Sequence, residues 1–189
     1  ETDVKTFWVS TDKQGIFKIR NNQVIKHFIS SSIHQWPGNQ MADISKDPSD
    51  ENILWSGTLG SGLIRLNMQD DSFSVFTTED HLPNNTIYSI VPDKQGSLWI
   101  ATNNGITRFS YKTRNFLNFD IKDGLAGNEF NRFHHFRFPD GRIAFGGPDG
   151  FTIFNPALFK QDSFQTPVRL TGLLINNKPV EFAEGSSIL

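Results

Sequence analysis

Leu98-Trp99-Ile100-Ala101-Thr102, followed by Gly105-Ile106-Thr107-Arg108-Phe109, is the stretch on which the fold of this chain turns. The same pattern occurs at Leu54-Trp55-Ser56-Gly57-Thr58 with Gly62-Leu63-Ile64-Arg65-Leu66. It occurs again at Phe7-Trp8-Val9-Ser10-Thr11 with Gly15-Ile16-Phe17-Lys18-Ile19. A fourth copy, Arg142-Ile143-Ala144-Phe145-Gly146-Gly147 with Gly150-Phe151-Thr152-Ile153-Phe154, has Ala144 in the tryptophan position. Positions 8, 55, 99 and 144 are 47, 44 and 45 residues apart. Such regular spacing marks a repeat architecture, and a repeat decides the fold before any single element does.

Within each copy the apolar residues alternate with a period of two. Tyr88-Ser89-Ile90-Val91, Leu98-Trp99-Ile100-Ala101, Ile106-Thr107-Arg108-Phe109 and Phe116-Leu117-Asn118-Phe119 read as short strands. Turn formers separate them at Pro92-Asp93-Lys94-Gln95-Gly96, Asn103-Asn104-Gly105 and Lys112-Thr113-Arg114-Asn115. No segment of ten residues carries a helical stripe, although Pro156-Ala157-Leu158-Phe159 suits one helical turn capped by Asn155. Four short antiparallel strands per repeat of about 45 residues is the unit of a β-propeller blade.

The fold class expected is therefore all-β, with blades of four antiparallel strands. The tryptophan that recurs once per blade is expected to fill the gap between neighbouring blades, which stabilises by about 2–3 kcal/mol per ring. The glycine that opens each third strand supplies a turn needing φ > 0.

Three four-strand units are expected at about 40–76, 86–119 and 131–154, preceded by a partial unit at about 7–28 that begins at its second strand. The innermost strand of that first blade is expected upstream of Glu1. About four blades leave sheet faces and edges open unless a ring closes, and propellers close with four to eight blades. Residues 1–160 are thus expected to be the C-terminal blades of a larger, partial propeller, with a closed four-bladed ring as the alternative. The repeat register ends at Asn155-Pro156, and Gln161-Asp162-Ser163 reads as a linker. Val168 to Ile175 and Pro179 to Phe182 then read as strands around the Asn176-Asn177-Lys178 turn, so 161–189 is expected to hold a linker and the truncated start of a second β-domain.

Composition narrows the classes further. The 189 residues are 37% hydrophobic and 20% charged, which fits a folded chain rather than a disordered one. A net charge of −2 gives no excess of cations for a phosphate backbone, so nucleic acid is not an expected partner of this region. Without cysteine there is no disulfide framework, thiolate nucleophile or Cys-ligated zinc. No apolar run reaches the ~18–20 residues of a membrane-crossing helix.

Ligand candidates come from the loops that carry the chain from an outer strand to the next inner strand, because binding residues concentrate on such loops. These are Ser30 to Gln40, Asp80 to Asn85 and Asp123 to Asn131, joined by the Asn103-Asn104 and Pro148-Asp149 turns. Trp36 breaks the repeat spacing, and beside Asn39 its ring suits stacking on a sugar face while amides bond hydroxyls. The alternative is that Trp36 packs its own loop or the adjacent blade. Asn85, Asn104 and Asn128 suit sugar hydroxyls or, alternatively, their own tight turns. Arg132 suits a uronate or sulfate in a bidentate pair, with a surface ion pair to Glu129 as the alternative.

His134 and His135, as strand neighbours, point to opposite faces and do not chelate one metal together. Asp12, Asp93 and Asp140 recur in turns, which argues for turn chemistry. No catalytic residue, metal or cofactor is expected.

Asn85-Thr86-Ile87-Tyr88-Ser89-Ile90-Val91-Pro92-Asp93, then Gly96-Ser97-Leu98-Trp99-Ile100-Ala101-Thr102 and Gly105-Ile106, resembles the two-component regulator propeller repeat. Asp123-Gly124-Leu125-Ala126-Gly127-Asn128-Glu129-Phe130-Asn131 with Gly141 to Gly147 resembles the last blade of that family. The stretch Pro167 to Pro179 resembles the start of the three-tyrosine Ig-like β-sandwich domain that follows it.

The resemblance implies the periplasmic sensor region of a hybrid two-component system sensor histidine kinase. It implies oligosaccharide detection, carried out together with the remaining propeller blades and the Ig-like domain of the same protein. It also implies a homodimer in the full-length protein, a membrane helix outside this chain, and a kinase that lies elsewhere, so this region itself is not expected to be an enzyme. Two other readings stand beside it: a propeller scaffold for protein partners, and a glycan-acting propeller lyase or hydrolase.

Overall fold

The structure, a computed structural model, describes residues 6–159, 174–176 and 178–179. The chain divides into two units, Glu1–Phe159 and Lys160–Leu189. The first unit is built from four antiparallel sheets, each a meander of consecutive strands. Sheet 1 comprises β1 (Thr6–Ser10), β2 (Ile16–Arg20) and β3 (Gln23–Phe28). Sheet 2 comprises β4 (Met41–Lys46), β5 (Ile53–Thr58), β6 (Leu63–Asn67) and β7 (Phe73–Phe76). Sheet 3 comprises β8 (Ile87–Pro92), β9 (Leu98–Thr102), β10 (Ile106–Ser110) and β11 (Asn115–Phe119). Sheet 4 comprises β12 (His135–Arg137), β13 (Ile143–Gly147) and β14 (Gly150–Phe154).

The registers repeat as the sequence does. Trp8 lies opposite Lys18, Trp55 opposite Arg65 and Trp99 opposite Arg108. Sheet 1 therefore begins at the strand equivalent to β5 and β9. The innermost strands β4 and β8 each carry a register shift after their first residue, between Met41 and Asp43 and between Ile87 and Ser89. A bulge of this kind bends the strand and re-aims the side chains that follow it.

One expectation is corrected. The unit at 131–154 forms three strands among the described residues, not four. After β14 the side chain of Asn155 accepts the Ala157 N–H and caps a 3-10 turn at Pro156–Leu158, and Pro156 has no N–H to continue a ladder. That capped turn is itself where the sequence placed it. Two further 3-10 turns, Thr78–Asp80 and Ile121–Asp123, sit in equivalent loops, each closed by a reciprocal capping box, Thr77 with Asp80 and Asp120 with Asp123.

Packing between sheets supplies the core. Ile16, Phe28, Trp36, Met41, Leu54 and Ile64 join sheets 1 and 2. Trp55, Leu63, Ile87, Ile90, Ile100 and Phe109 join sheets 2 and 3. Val91, Trp99, Ile106, Phe130, Ile143 and Phe145 join sheets 3 and 4. Trp55 and Trp99 are fully buried and fill the spaces between sheets, as their once-per-repeat spacing requires.

In the second unit Leu174–Ile175 (β15) pairs antiparallel with Lys178–Pro179 (β16). The rest of the expected linker and Ig-like strands lies outside the described residues.

Candidate functional site

The loops named as candidates gather at one end of the sheets, where chain enters β4, β8 and β12. A device recurs there. The Asn39 carbonyl accepts the Gly15 N–H at 2.9 Å, the Asn85 carbonyl the Gly62 N–H at 2.9 Å and the Asn128 carbonyl the Gly105 N–H at 2.6 Å. Each bond ties the loop entering one sheet to the hairpin of the sheet before it. The glycine carbonyls accept in turn from the Thr11, Thr58 and Thr102 hydroxyls at 2.9, 2.7 and 2.9 Å.

The asparagine side chains hold the same loops. Their Oδ1 atoms accept the N–H of Ser30, Thr78 and Ile121 at 2.9, 2.9 and 2.8 Å. The structure thus gives Asn39, Asn85 and Asn128 to the scaffold, an inter-sheet latch repeated three times. Asn85→Ala is expected to lower the stability of the folded protein by about 1 kcal/mol, the net worth of one such bond. A urea titration reads the shift, and an unchanged midpoint would mean that the side chain does not hold its loop through the Thr78 N–H.

Of the two readings of Trp36, the structure shows the packed one. Its ring is only 4% exposed and packs against Phe28 and Phe73, with centroids 5.4 and 5.0 Å away. No face is open for stacking on a sugar, and the ring joins its own loop to sheets 1 and 2. Asn104 is exposed; its N–H donates to the Thr102 hydroxyl at 3.0 Å and its amide to the Pro83 carbonyl at 3.4 Å.

Arg132 is not paired with Glu129. Nη1 donates to Asp12 Oδ1 at 2.7 Å and Nη2 to the Met41 carbonyl at 2.7 Å. The guanidinium therefore runs from the loop before β12 to the start of β4 and the first turn of sheet 1. Beside it Phe133 lies in the left-handed region at φ 68°, with its ring 4.7 Å from the Arg132 guanidinium and 67% exposed. No sequence signal singled out Phe133, because its conformation comes from the turn it occupies.

Deeper along the inner strands, Asp43, Ser45, Ile90, Val91, His135 and Arg137 line a cleft of about 350 Å³. Asp43 Oδ2 accepts the Ile90 N–H at 2.7 Å and lies 3.9 Å from His135 Nε2. Burial pushes the Asp43 carboxyl above its ordinary range, opposed by the Ile90 N–H, by His135 and by the Ile44 N–H. His135 faces this cleft while His134, just before β12, is exposed and backs onto Gly146, so the two neighbours diverge.

The recurrent aspartates divide. Asp93 Oδ1 accepts the Gln95 and Ser97 N–H groups, and its Oδ2 accepts Trp99 Nε1–H at 3.0 Å. Asp47 holds Trp55 Nε1–H in the same way at 2.7 Å. Asp140 binds the Arg142 backbone and side chain within its turn. Asp12 departs from the turn role expected of it and pairs with Arg132 instead. Among the described residues no three His, Asp or Glu side chains converge as metal ligands do.

Against this geometry the comparisons are consistent in kind. Residues 81–104 match the two component regulator propeller family. The whole chain is 26% identical to a histidine kinase, P4, of Formosa agariphila, and spans 16% of that protein's length. Two solved structures from B. thetaiotaomicron, both extracellular domains of hybrid two component systems, resemble it. The first is 25% identical with a TM-score of 0.74, covering 95% of this chain and 25% of its own length. The second is 26% identical with a TM-score of 0.57, covering 93% of this chain and 22% of its own. The chain thus carries a two-component regulator propeller repeat within all-β, propeller-type blades, and resembles the extracellular sensor region of hybrid two-component proteins.

Proposed function

We propose that this chain is part of the periplasmic ligand-sensing region of a hybrid two-component sensor histidine kinase, and that the region detects oligosaccharides. The observation that carries the reading is the match over 95% of the chain to an extracellular domain of a hybrid two component system. The kinase and the membrane helix belong to other parts of such a protein, and this region acts by binding alone.

The sheet faces support a larger assembly. Phe7 and Val9 on the free face of sheet 1, and Phe136, Phe151 and Ile153 on the free face of sheet 4, are exposed apolar residues in rows. Further blades of the same protein are the cover these rows suit. Signalling is then a population shift: a ligand seated at the loop end favours one arrangement of this propeller relative to the Ig-like domain, and a dimer passes that bias across the membrane.

Calorimetry of the intact periplasmic region against a panel of acidic and neutral oligosaccharides tests the reading. Saturable binding of at least one oligosaccharide is expected. A folded sample that binds none of them would refute it.

A further inference from the structure

We propose that Arg132 and Phe133 form a subsite for an anionic saccharide unit, a uronate or a sulfated sugar, and that Asp12 occupies the place of its anionic group in the free protein. The proposal rests on the oligosaccharide-sensing reading above and names the class of ligand.

Three observations converge on it. The first concerns Phe133. Eight described residues other than glycine have positive φ: Asn21, Asn22, Gln35, Asp71, His81, Arg114, Asn176 and Phe133. Phe133 alone is apolar. A bulky side chain is disfavoured in this region, and the turn closed by the His134 N–H on the Asn131 carbonyl would ordinarily take Gly or Asn there. Burial does not offset the strain, because the ring is 67% exposed. Strain of this kind is held where a side chain must be presented, and a presented aromatic ring offers a flat apolar face to the C–H face of a sugar.

The second observation is the guanidinium beside it. The Met41 carbonyl fixes one edge of the Arg132 fork, and the Phe133 ring lies 4.7 Å from it. Its position and plane are therefore set before any ligand arrives. The third is the mode of the Asp12 pair. Asp12 holds Arg132 through one bond only, Nη1 to Oδ1, while Nε is buried and has no partner among the described residues, so the end of the fork, not its Nε side, meets Asp12. Asp12 is itself 54% exposed, so it can leave to solvent. A carboxylate or sulfate that bonds both Nη1 and the second N–H of Nη2, whose first is held by the Met41 carbonyl, takes two bonds where Asp12 takes one.

The mechanism assigns opposite signs to two neighbouring substitutions. Asp12→Asn removes the internal competitor and is expected to tighten binding of an oligogalacturonate tetrasaccharide several-fold. Arg132→Gln is expected to weaken it about tenfold or more, as for loss of a charge-assisted bond. Phe133→Gly is expected to weaken binding while raising the thermal midpoint, since the turn is relieved; a purely structural role for the ring would lower it.

The measurements use the intact periplasmic region, with oligogalacturonate, a sulfated galactan oligomer, a neutral galactan oligomer of equal length and inorganic sulfate as separate probes. Binding of the uronate or the sulfated oligomer that weakens with salt and follows these three signs supports the subsite, and the tighter of the two identifies its anion. Binding of neutral and acidic oligomers alike, unchanged in Arg132→Gln, would overturn the subsite and leave oligosaccharide sensing standing. Inorganic sulfate binding as tightly as the oligomers would also overturn it, leaving a bare anion site. No binding by any probe to a folded sample would overturn both readings. The gain expected of Asp12→Asn guards against a variant that merely misfolds.

Discussion

Gly62→Ala is expected to destabilise the protein by about 3 kcal/mol or more, the sum of left-handed strain and an unrelieved backbone clash. Gly62 sits at φ 86°, where an L side chain is strained whatever the space around it. A Cβ there would also overlap the Phe76 carbonyl, which belongs to the backbone and cannot swing aside as a side-chain end can. The same residue donates its N–H to Asn85 of the next sheet and accepts from the Thr58 hydroxyl, so a shift that relieved the clash would break the latch.

Gly60→Ala separates the two costs. Gly60 has φ 106° with open space where a Cβ would stand, so its substitution carries the dihedral penalty alone, about 1–2 kcal/mol. Urea titrations of the two variants give the clash by difference. Equal losses would mean that the carbonyl of Phe76 does not close on Gly62. Gly15 and Gly105 meet the carbonyls of Phe28 and Phe119 in the same way, so the result extends to the latch at each repeat.

What the sequence makes legible here is whatever the repeat enforces. Trp55 and Trp99, the latch glycines and the alternating strands recur because each sheet must solve one packing problem, and four copies expose the rule. The capping boxes at Thr77 and Asp120 were equally legible, since Thr-x-x-Asp and Asp-x-x-Asp carry the signal of a helical start. Unlike the Pro156 turn, they lack a proline at the first helical position to mark their start.

Single-copy features that depend on distant partners were less legible. Trp36 breaks the spacing, so the sequence leaves both a ligand role and packing open; the pocket that decides it, between Phe28 and Phe73, exists only once sheets 1 and 2 have docked. Arg132 finds Asp12 across 120 residues, a pairing set by how the sheets turn about their inner strands rather than by any local pattern. The chemistry of Asn39, Asn85 and Asn128 suits sugar hydroxyls, and for Asn85 and Asn128 it suits tight turns equally. Their repetition, 46 and 43 residues apart, already pointed to the scaffold, because a ligand site has no need to be copied into every blade.

Trp99→Ala is expected to cost about 3–5 kcal/mol, the range for deleting a buried aromatic side chain. Domain stabilities are about 5–15 kcal/mol in total, so much of the fold's margin depends on this one ring. The ring is 1% exposed and lies against Phe119, Phe154 and Phe159, with centroids 5.6, 4.5 and 5.0 Å away. Phe119 belongs to sheet 3 and Phe154 to sheet 4, so the cavity left by alanine opens at the joint between two sheets rather than inside one.

Trp99→Phe keeps most of the apolar surface and removes the indole N–H that Asp93 accepts. Its smaller cost, about 1–2 kcal/mol, measures that bond with its burial. The two variants together divide the joint into packing and polar parts. A loss in Trp99→Ala no larger than in Trp99→Phe would mean that the sheets close over the cavity, and that the ring sets the turn of Asp93 rather than the spacing of the sheets.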